Sequence, residues 1–263
     1  MAGPEQDGEP GSRSAQRSTW QRGTTRNNSD LLVEECAVAL VYNDISHVVM
    51  MATPTDLRDF ALGFSLSEGI LNTPAQLLDF DVIEADNGLE LRMQITAEPF
   101  QLLKQRRRNL EGRTGCGLCG AESLAQAIRP PRQVSTSLDL AHDAIDRALG
   151  QLHSRQPLRQ ATGAAHAAAW CRGNGEVVLV REDVGRHNAL DKLLGALWSE
   201  GFDSRGFVLV TSRASYELVM KTASADIPAL VAVSAPTSMA VDYARACGIA
   251  LFGFAADGRH SRY

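Results

Sequence analysis

Two cysteines, Cys116 and Cys119, are separated by two residues in the glycine-rich stretch EGRTGCGLCGAES (residues 111–123). Thiols at this spacing bind zinc, form a redox disulfide or carry sulfur as a persulfide. A structural zinc site usually takes four ligands from two such pairs, and the sequence has no second CxxC. A thioredoxin-type disulfide needs a strand before the motif, whereas a basic helical stretch and glycines precede it here. Two inert, buried cysteines fit so glycine-rich a loop poorly.

Sulfur carriage fits these residues best. A carrier thiol must ionise near neutral pH and must reach both a donor and an acceptor. Arg113 and the basic run at 106–108 favour the thiolate, and the helix start after the loop favours ionisation of Cys119. Glycines allow the loop to swing, and the second thiol can resolve or protect a persulfide by exchange. We therefore expect Cys116 and Cys119 to be catalytic, with dithiol redox chemistry and zinc binding as the alternatives.

A second group of polar residues follows apolar strands in the C-terminal half, in the segments 181–188, 211–215, 234–238 and 254–259. In α/β sheets, ligands bind beyond the carboxyl ends of strands. The first three segments lead straight into helices, whose N-termini attract anions. The segments contribute Thr211, Ser212, Ser215, Thr237, Ser238, Arg186, Arg213 and Arg259. Any one hydroxyl is best explained as a helix cap, but the whole set predicts a site for a phosphorylated ligand such as a nucleotide.

His187 lies at the start of one of these helices, where the helix end disfavours added positive charge. A neutral imidazole there can donate a hydrogen bond to a ligand or accept one, although a histidine packed at the sheet edge explains it equally well. Glu182 and Asp183 precede it. Their carboxylates could hold a guanine or a ribose, or could pair with Arg186.

The composition limits the function classes. A formal charge of −5 argues against a nucleic-acid binder driven by overall charge. The five cysteines are an odd number without a disulfide framework, which predicts free thiols in a reducing cytoplasm. No apolar stretch is long enough to span a bilayer, so no membrane partner is expected.

The pattern of apolar residues predicts three regions. Residues 1–30 contain little to bury and are expected to be a disordered tail. Residues 31–131 predict a smaller N-terminal α+β domain, with a hairpin turning at 42–44, a capped helix near 55–71, and the CxxC loop and a short helix at its end. Residues 132–263 predict a C-terminal α/β domain. There, a helix at 135–153 capped by Thr136 and a hairpin precede a βαβαβ order that indicates a mainly parallel sheet covered on both faces.

Four motifs give the chain a family resemblance. TGCGLCGAESL, EDVGRHNALDKLLG, TSRASYELVMKTA and LFGFAADGR occur in this order between residues 31 and 263. Together they resemble the formate dehydrogenase accessory sulfurtransferase family (FdhD), and four long motifs in register make the likeness specific, whereas CxxC alone is a weak signal.

The resemblance implies a cytoplasmic sulfurtransferase and cofactor chaperone. Such a protein takes persulfide sulfur from a cysteine desulfurase, passes it to the bis-molybdopterin guanine dinucleotide molybdenum cofactor and so prepares that cofactor for formate dehydrogenase. By the same likeness Cys116 carries the persulfide, Cys119 is the second thiol, and a homodimer is expected. The cofactor-binding segment corresponds to Phe254, Ala255, Ala256, Asp257, Gly258 and Arg259. With His187, Arg213 and Ser215 these residues form the predicted site for the guanine dinucleotide.

The resemblance also implies that the C-terminal domain is an α/β/α sandwich like that of the cytidine deaminases. Zinc deaminases carry an H-x-E and a later P-C-x-x-C at helix starts. This chain has RHNA (186–189) and SRAS (212–215) at those positions. We therefore expect the pocket without the zinc or deaminase activity. A further departure is Ala256, which replaces an extra basic residue of many relatives. A non-catalytic cofactor chaperone and a nucleotide-binding dithiol oxidoreductase are the alternative functions.

Overall fold

The computed structural model describes residues 8–111, 129–256 and 258–263. The strands in this part are β1 (Ser12–Gln21), β2 (Thr24–Val33), β3 (Cys36–Tyr42), β4 (Ile45–Ala52), β5 (Leu77–Ala85), β6 (Gly88–Ile95), β7 (His166–Arg172), β8 (Val177–Asp183), β9 (Gly206–Val210), β10 (Ala229–Ala232), β11 (Ala250–Ala256) and β12 (Arg259–Arg262). The α-helices are α1 (Leu57–Ser67), α2 (Ala97–Glu111), α3 (His142–Leu152), α4 (Pro157–Thr162), α5 (Arg186–Glu200), α6 (Tyr216–Ser224) and α7 (Ser238–Cys247). The predicted mixture of helices and sheets is confirmed.

The first two strands pair over their whole length in an antiparallel hairpin, here called the arm (Ser12–Val33). The disordered tail predicted for residues 1–30 is therefore wrong from Ser12 onward, and residues 1–7 lie outside the described part. Arg22 and Gly23 have positive φ angles of 47° and 83°, as in the two-residue turn that matches the twist of paired strands. A prediction from apolar burial misses such a hairpin because backbone pairing and polar contacts hold it together.

The N-terminal sheet has the strand order β4-β3-β6-β5, and α1 packs on one of its faces. Leu40, Phe60 and Met93 are fully buried in the core between helix and sheet. The predicted turn between β3 and β4 is confirmed. The predicted cap of α1 is not formed, because Asp56 has a left-handed φ of 50° and its side chain makes no bond to the helix.

The C-terminal sheet is mixed, with the order β12-β11-β10-β9-β7-β8. Only β9–β10 and β10–β11 are parallel neighbours, so a mainly parallel sheet is wrong as a description of strand pairing. The reason is that β7 runs antiparallel to both of its neighbours, to β8 across their hairpin and to β9. This arrangement still leaves β8 running in the same direction as β9, β10 and β11. The carboxyl ends of these four strands therefore lie at one edge, as the site prediction requires.

The helix predicted over 135–153 is shorter, because α3 begins at His142. Thr136 does not cap it. The Thr136 hydroxyl instead donates to Asp226 Oδ2 at 2.8 Å, and Ser135 makes two further bonds to the same carboxylate. A long-range partner has replaced the local cap.

The two sheets are joined through a seam formed by α1 and α5. A Cβ added to Gly63 would lie 1.8 Å from the carbonyl oxygen of Asp191, and one added to Gly195 would lie 1.9 Å from that of Asp59. Only glycine permits so close a helix crossing. Two buried lysines reinforce the seam, with Lys192 Nζ 2.7 Å from Asp183 and Lys221 Nζ 2.9 Å from Asp191.

Candidate functional site

The loops that follow β9, β10 and β11 are held together by backbone hydrogen bonds. Ser234 N–H donates to the Ser212 carbonyl at 3.3 Å, and Thr237 N–H donates to the Ala214 carbonyl at 3.0 Å. Phe254 N–H donates to the Ser234 carbonyl at 3.1 Å. Three of the four predicted segments are therefore neighbours in space.

Three helices begin at this edge, and their N-cap residues are Gly185, Ser215 and Thr237. Thr237 accepts a hydrogen bond from Ala240 N–H at 3.2 Å, which is the predicted ordinary cap. Ser215 makes no such bond within its helix. Its hydroxyl oxygen lies instead 3.3 Å from His187 Nε2. The first N–H groups of α6 are consequently not capped by this side chain, and they form a weak positive pole beside His187.

His187 bridges the starts of α5 and α6. Its Nε2 lies 2.8 Å from Glu217 Oε2, and the hydrogen bond from His187 holds the pKa of the Glu217 carboxyl below its usual value. The same nitrogen faces the Ser215 hydroxyl and the carboxylate. A serine–histidine–acid relay uses two different ring nitrogens, so this cluster is not arranged as a hydrolase triad. It is arranged to position a histidine at a helix start.

Two buried nitrogen atoms at the same edge, Arg186 Nε and His166 Nδ1, have no hydrogen-bond partner among the described residues. Burial, and then the positive charges of Arg186 and Arg159, lower the pKa of His166. His166 was missed by the sequence reading. The predicted hairpin of β7 and β8 could have located His166, because His166 begins β7 and pairs with Asp183 at the end of β8.

Glu182 and Asp183 do not have the predicted ligand role. Asp183 is fully buried, accepts the N–H of Thr53 at 3.0 Å and forms the ion pair with Lys192. Glu182 accepts the N–H groups of Leu158 and Arg159 at 2.9 Å, and burial raises its pKa. Neither carboxylate is free for a guanine or pairs with Arg186, because the fold uses both.

The predicted C-terminal segment runs along the end of β11. Phe254 is 43% exposed and has a left-handed φ of 54°, in a bulge between Gly253 and Ala256. Ala255 is buried, and Ala256 is half-buried. Gly258, Arg259 and, on the neighbouring loop, Arg213 are exposed. Asp257 lies outside the described residues. The strained backbone turns an aromatic ring outward at the edge where the three loops meet.

Cys116 and Cys119 lie outside the described residues, but the chain that follows them is anchored beside the site. Arg129 N–H donates to the Tyr216 hydroxyl at 2.7 Å, and its guanidinium contacts the Ser67 carbonyl and Glu68. Tyr216 directly follows Ser215. Nine residues lie between Cys119 and Arg129, so the Cα atoms of these two residues are at most about 35 Å apart.

The other three cysteines, Cys36, Cys171 and Cys247, are free thiols within the fold. Burial raises the pKa of each one. Raised pKa values make poor nucleophiles at neutral pH, so these thiols offer little competition to the CxxC pair.

A comparison with protein-family models decides the relationship. Residues 33–263 match the model of the FdhD/NarQ family. This chain belongs to the FdhD/NarQ family. The match includes the CxxC motif and all four strand-end segments, and it begins at the last residue of the arm.

Two FdhD/NarQ relatives carry the name sulfur carrier protein FdhD. The one from Cupriavidus necator is 55% identical over 247 residues, which cover 94% of this chain and 86% of that protein. The one from Xanthomonas euvesicatoria pv. vesicatoria is 52% identical over 236 residues, which cover 89% of this chain and 84% of that protein. The crystal structure of a candidate formate dehydrogenase accessory protein from Desulfotalea psychrophila has the same fold, with a TM-score of 0.73, 20% identity and 97% coverage of both chains.

Within the part of this FdhD/NarQ chain that the structure describes, no group of three or more His, Cys, Asp or Glu side chains is placed to hold a metal ion. No described helix is long and apolar enough to cross a membrane.

Proposed function

We propose that this protein is a sulfurtransferase that supplies sulfur to the bis-molybdopterin guanine dinucleotide molybdenum cofactor used by formate dehydrogenase. The names of the relatives support the sulfur-carrier role. The observation that carries the proposal is the strand-end site, where helix starts converge with two buried nitrogen atoms that have no partner in the described structure. The chain anchored at Tyr216 leads back to Cys119.

The sulfur moves in two steps, acceptance from the desulfurase and delivery to the molybdenum. The Cys116 thiolate attacks the terminal sulfur of a cysteine desulfurase persulfide, forms a new S–S bond and releases the desulfurase thiolate. For delivery, the Cys119 thiolate attacks the Cys116 sulfur and forms a disulfide. The terminal sulfur leaves as sulfide with the electron pair of the broken S–S bond and becomes a ligand of the molybdenum. A thiol reductant then restores the dithiol.

The strand-end site receives the cargo through its phosphates. Arg186 and His187 lie at the start of α5, Ser215 begins α6, and Arg213 and Arg259 are exposed at the rim. Guanidinium groups and helix N–H groups bind phosphate oxygens strongly. Phe254 offers an exposed ring for stacking against a guanine, which explains a strained aromatic residue at this edge. Ala255, Ala256, Asp257 and Gly258 complete the proposed binding segment.

The proposal includes the setting and the partners. The protein acts in the cytoplasm as a homodimer, and it meets a cysteine desulfurase and formate dehydrogenase. Nucleic acid has no part in this function.

Mass spectrometry tests the sulfur step. The protein is incubated with a cysteine desulfurase and cysteine, and the peptide containing residues 116–119 is analysed. We expect one added sulfur, its loss in Cys116→Ala, and its retention with blocked sulfide release in Cys119→Ala. Cys36→Ala is the control and should behave as wild type, because Cys36 is half-buried in a strand.

The other outcomes favour the two alternatives. Formate dehydrogenase maturation that proceeds normally with Cys116→Ala indicates a cofactor chaperone without catalytic thiols. A Cys116–Cys119 disulfide that cycles with a reductant, without added sulfur, indicates a dithiol oxidoreductase.

A further inference from the structure

One face of the N-terminal sheet is uncovered. The strand register aligns Val49, Ala39, Glu90 and Ile83 in a row across β4, β3, β6 and β5 on the face opposite α1. Val49 is 58% exposed and Ile83 is 40% exposed, and Met51 beside them is 51% exposed. Glu90, which lies between the apolar side chains of this row, forms an ion pair with Arg92 at 2.8 Å. We call this surface the open face.

The β5 side of the open face is acidic. Asp79 and Asp81 share this face with Ile83, Asp86 lies in the turn after β5, and Arg92, which pairs with Glu90, is the one basic residue between 77 and 95. Residues 81–87 are exposed throughout. The strand β5 is also the edge of its sheet, so one side of its backbone has no strand partner in the described structure. Proteins usually protect such an edge, and charges alone protect it incompletely.

The arm has the complementary composition. It contains Arg13, Arg17, Arg22 and Arg26, with Asp30 as the one acidic residue. Asp30 pairs with Arg17 at 2.6 Å, whereas Arg22 and Arg26 form no ion pair in the described part of the chain. Trp20, next to the turn, is 72% exposed. The arm contacts α4 of its own chain, but a two-stranded hairpin is at best marginally stable in water, so its exposed tip needs a further surface to pack against.

We propose that the arm of one copy of this protein packs on the open face of a second copy. Trp20 then packs against Ile83, and Arg22 and Arg26 meet the Asp81 and Asp86 carboxylates. The second copy is the occupant because both halves of the contact, the basic tip with its aromatic ring and the acidic edge with Ile83, belong to the same chain.

The size of the contact agrees with a stable dimer. Strands of ten residues are about 33 Å long, and a two-stranded ribbon is about 10 Å wide. Two reciprocal arms therefore bury at most about 1,300 Å² in total, because part of each arm already contacts α4; this upper bound lies at the low end of the range of specific protein interfaces. The expected homodimer thereby has a specific surface.

Sedimentation velocity of the full chain across a concentration series tests this interface. The double variant Arg22→Glu/Arg26→Glu places acidic arms against acidic edges, and Asp81→Lys/Asp86→Lys places basic edges against basic arms. Like charges across an interface cost several kcal/mol, so each variant alone should dimerise about a hundredfold more weakly or worse. Trp20→Ala should weaken the dimer without changing the charge.

Mixing the two charge variants is the decisive measurement. In the mixed dimer both contacts are again between opposite charges, so the mixture should recover a dimer that neither variant forms alone. Asp139→Lys/Asp242→Lys reverses two exposed charges elsewhere and should dimerise as wild type, and circular dichroism verifies folding. A monomeric wild type, charge variants that dimerise normally, or a mixture that stays monomeric each overturns the proposal.

Discussion

Two regions of the molecule bury basic side chains but differ in how these side chains are paired. At the seam between α1 and α5, Lys192 and Lys221 are buried and each is paired with a carboxylate. At the strand ends, Arg186 Nε and His166 Nδ1 are buried without a partner in the described structure. Buried polar atoms are rarely left unpaired. The charges of the seam are therefore explained by folding, whereas the two strand-end nitrogen atoms are the groups that the proposed ligand would meet.

The seam also shows how burial and pairing act together on an ionisable group. Burial alone would lower the pKa of Lys221, but the carboxylates of Asp191 and Glu68 hold that pKa above its ordinary value. The amine stays charged and makes bonds of 2.9 Å to Ser67 and Asp191 and 2.8 Å to Glu68. One side chain of α6 is thereby tied to both α1 and α5.

The largest effect should come from removing one partner of a seam pair. Lys192→Met leaves the Asp183 carboxylate buried without its counter-ion, which should reduce the free energy of unfolding by about 3–5 kcal/mol. Arg186→Met is the matched substitution at the strand ends. It removes a cation that has no ion-pair partner among the described residues, and it should change stability by less than about 1 kcal/mol. Urea unfolding at pH 7 measures the free energy of unfolding of both variants. Similar losses would contradict the distinction between charges that stabilise the fold at the seam and charges that do not at the strand ends.

A smaller loss should follow from crowding the helix crossing. Gly63→Ala places a methyl group against the backbone of α5, where the neighbour is a carbonyl that cannot move aside. We expect a loss of about 1–3 kcal/mol in the same unfolding measurement. Gly150→Ala, in α3, meets nothing within 4 Å and should stabilise the protein by up to about 1 kcal/mol, because alanine favours helix. A neutral Gly63→Ala would show that the seam is loosely packed.

The sequence predicts where the strand-end segments lie because its signals are local. Apolar runs followed by hydroxyls and helical patterns place Ser215 and Thr237 at helix starts, and the structure confirms both positions. The seam has no such signal. Glu182 and Asp183 resemble ligand-binding carboxylates until the partners Leu158 and Lys192 are seen, and those partners are fixed only by tertiary packing.

The arm was missed for a different reason. Its residues bury little apolar surface, so a prediction of order from buried apolar residues does not detect it. The two-residue turn at Arg22 and Gly23 was a local signal that could have corrected the reading. The roles of Cys116 and Cys119 stay a prediction.

The smallest predicted effect is a pH dependence that belongs to the strand ends alone. Burial and the charge of Arg186 lower the pKa of His166, so the unliganded site keeps this imidazole neutral. A phosphate beside Nδ1 favours the protonated form and raises that pKa, so binding takes up a proton. Affinity for GDP should therefore rise as the pH falls from 8 to 6.5, by at most about tenfold per pH unit. Isothermal titration should show this slope in wild type and in the exposed control His153→Gln, but not in His166→Gln. A slope that persists in His166→Gln would assign the proton to another group and leave the unpartnered nitrogen of His166 without a ligand.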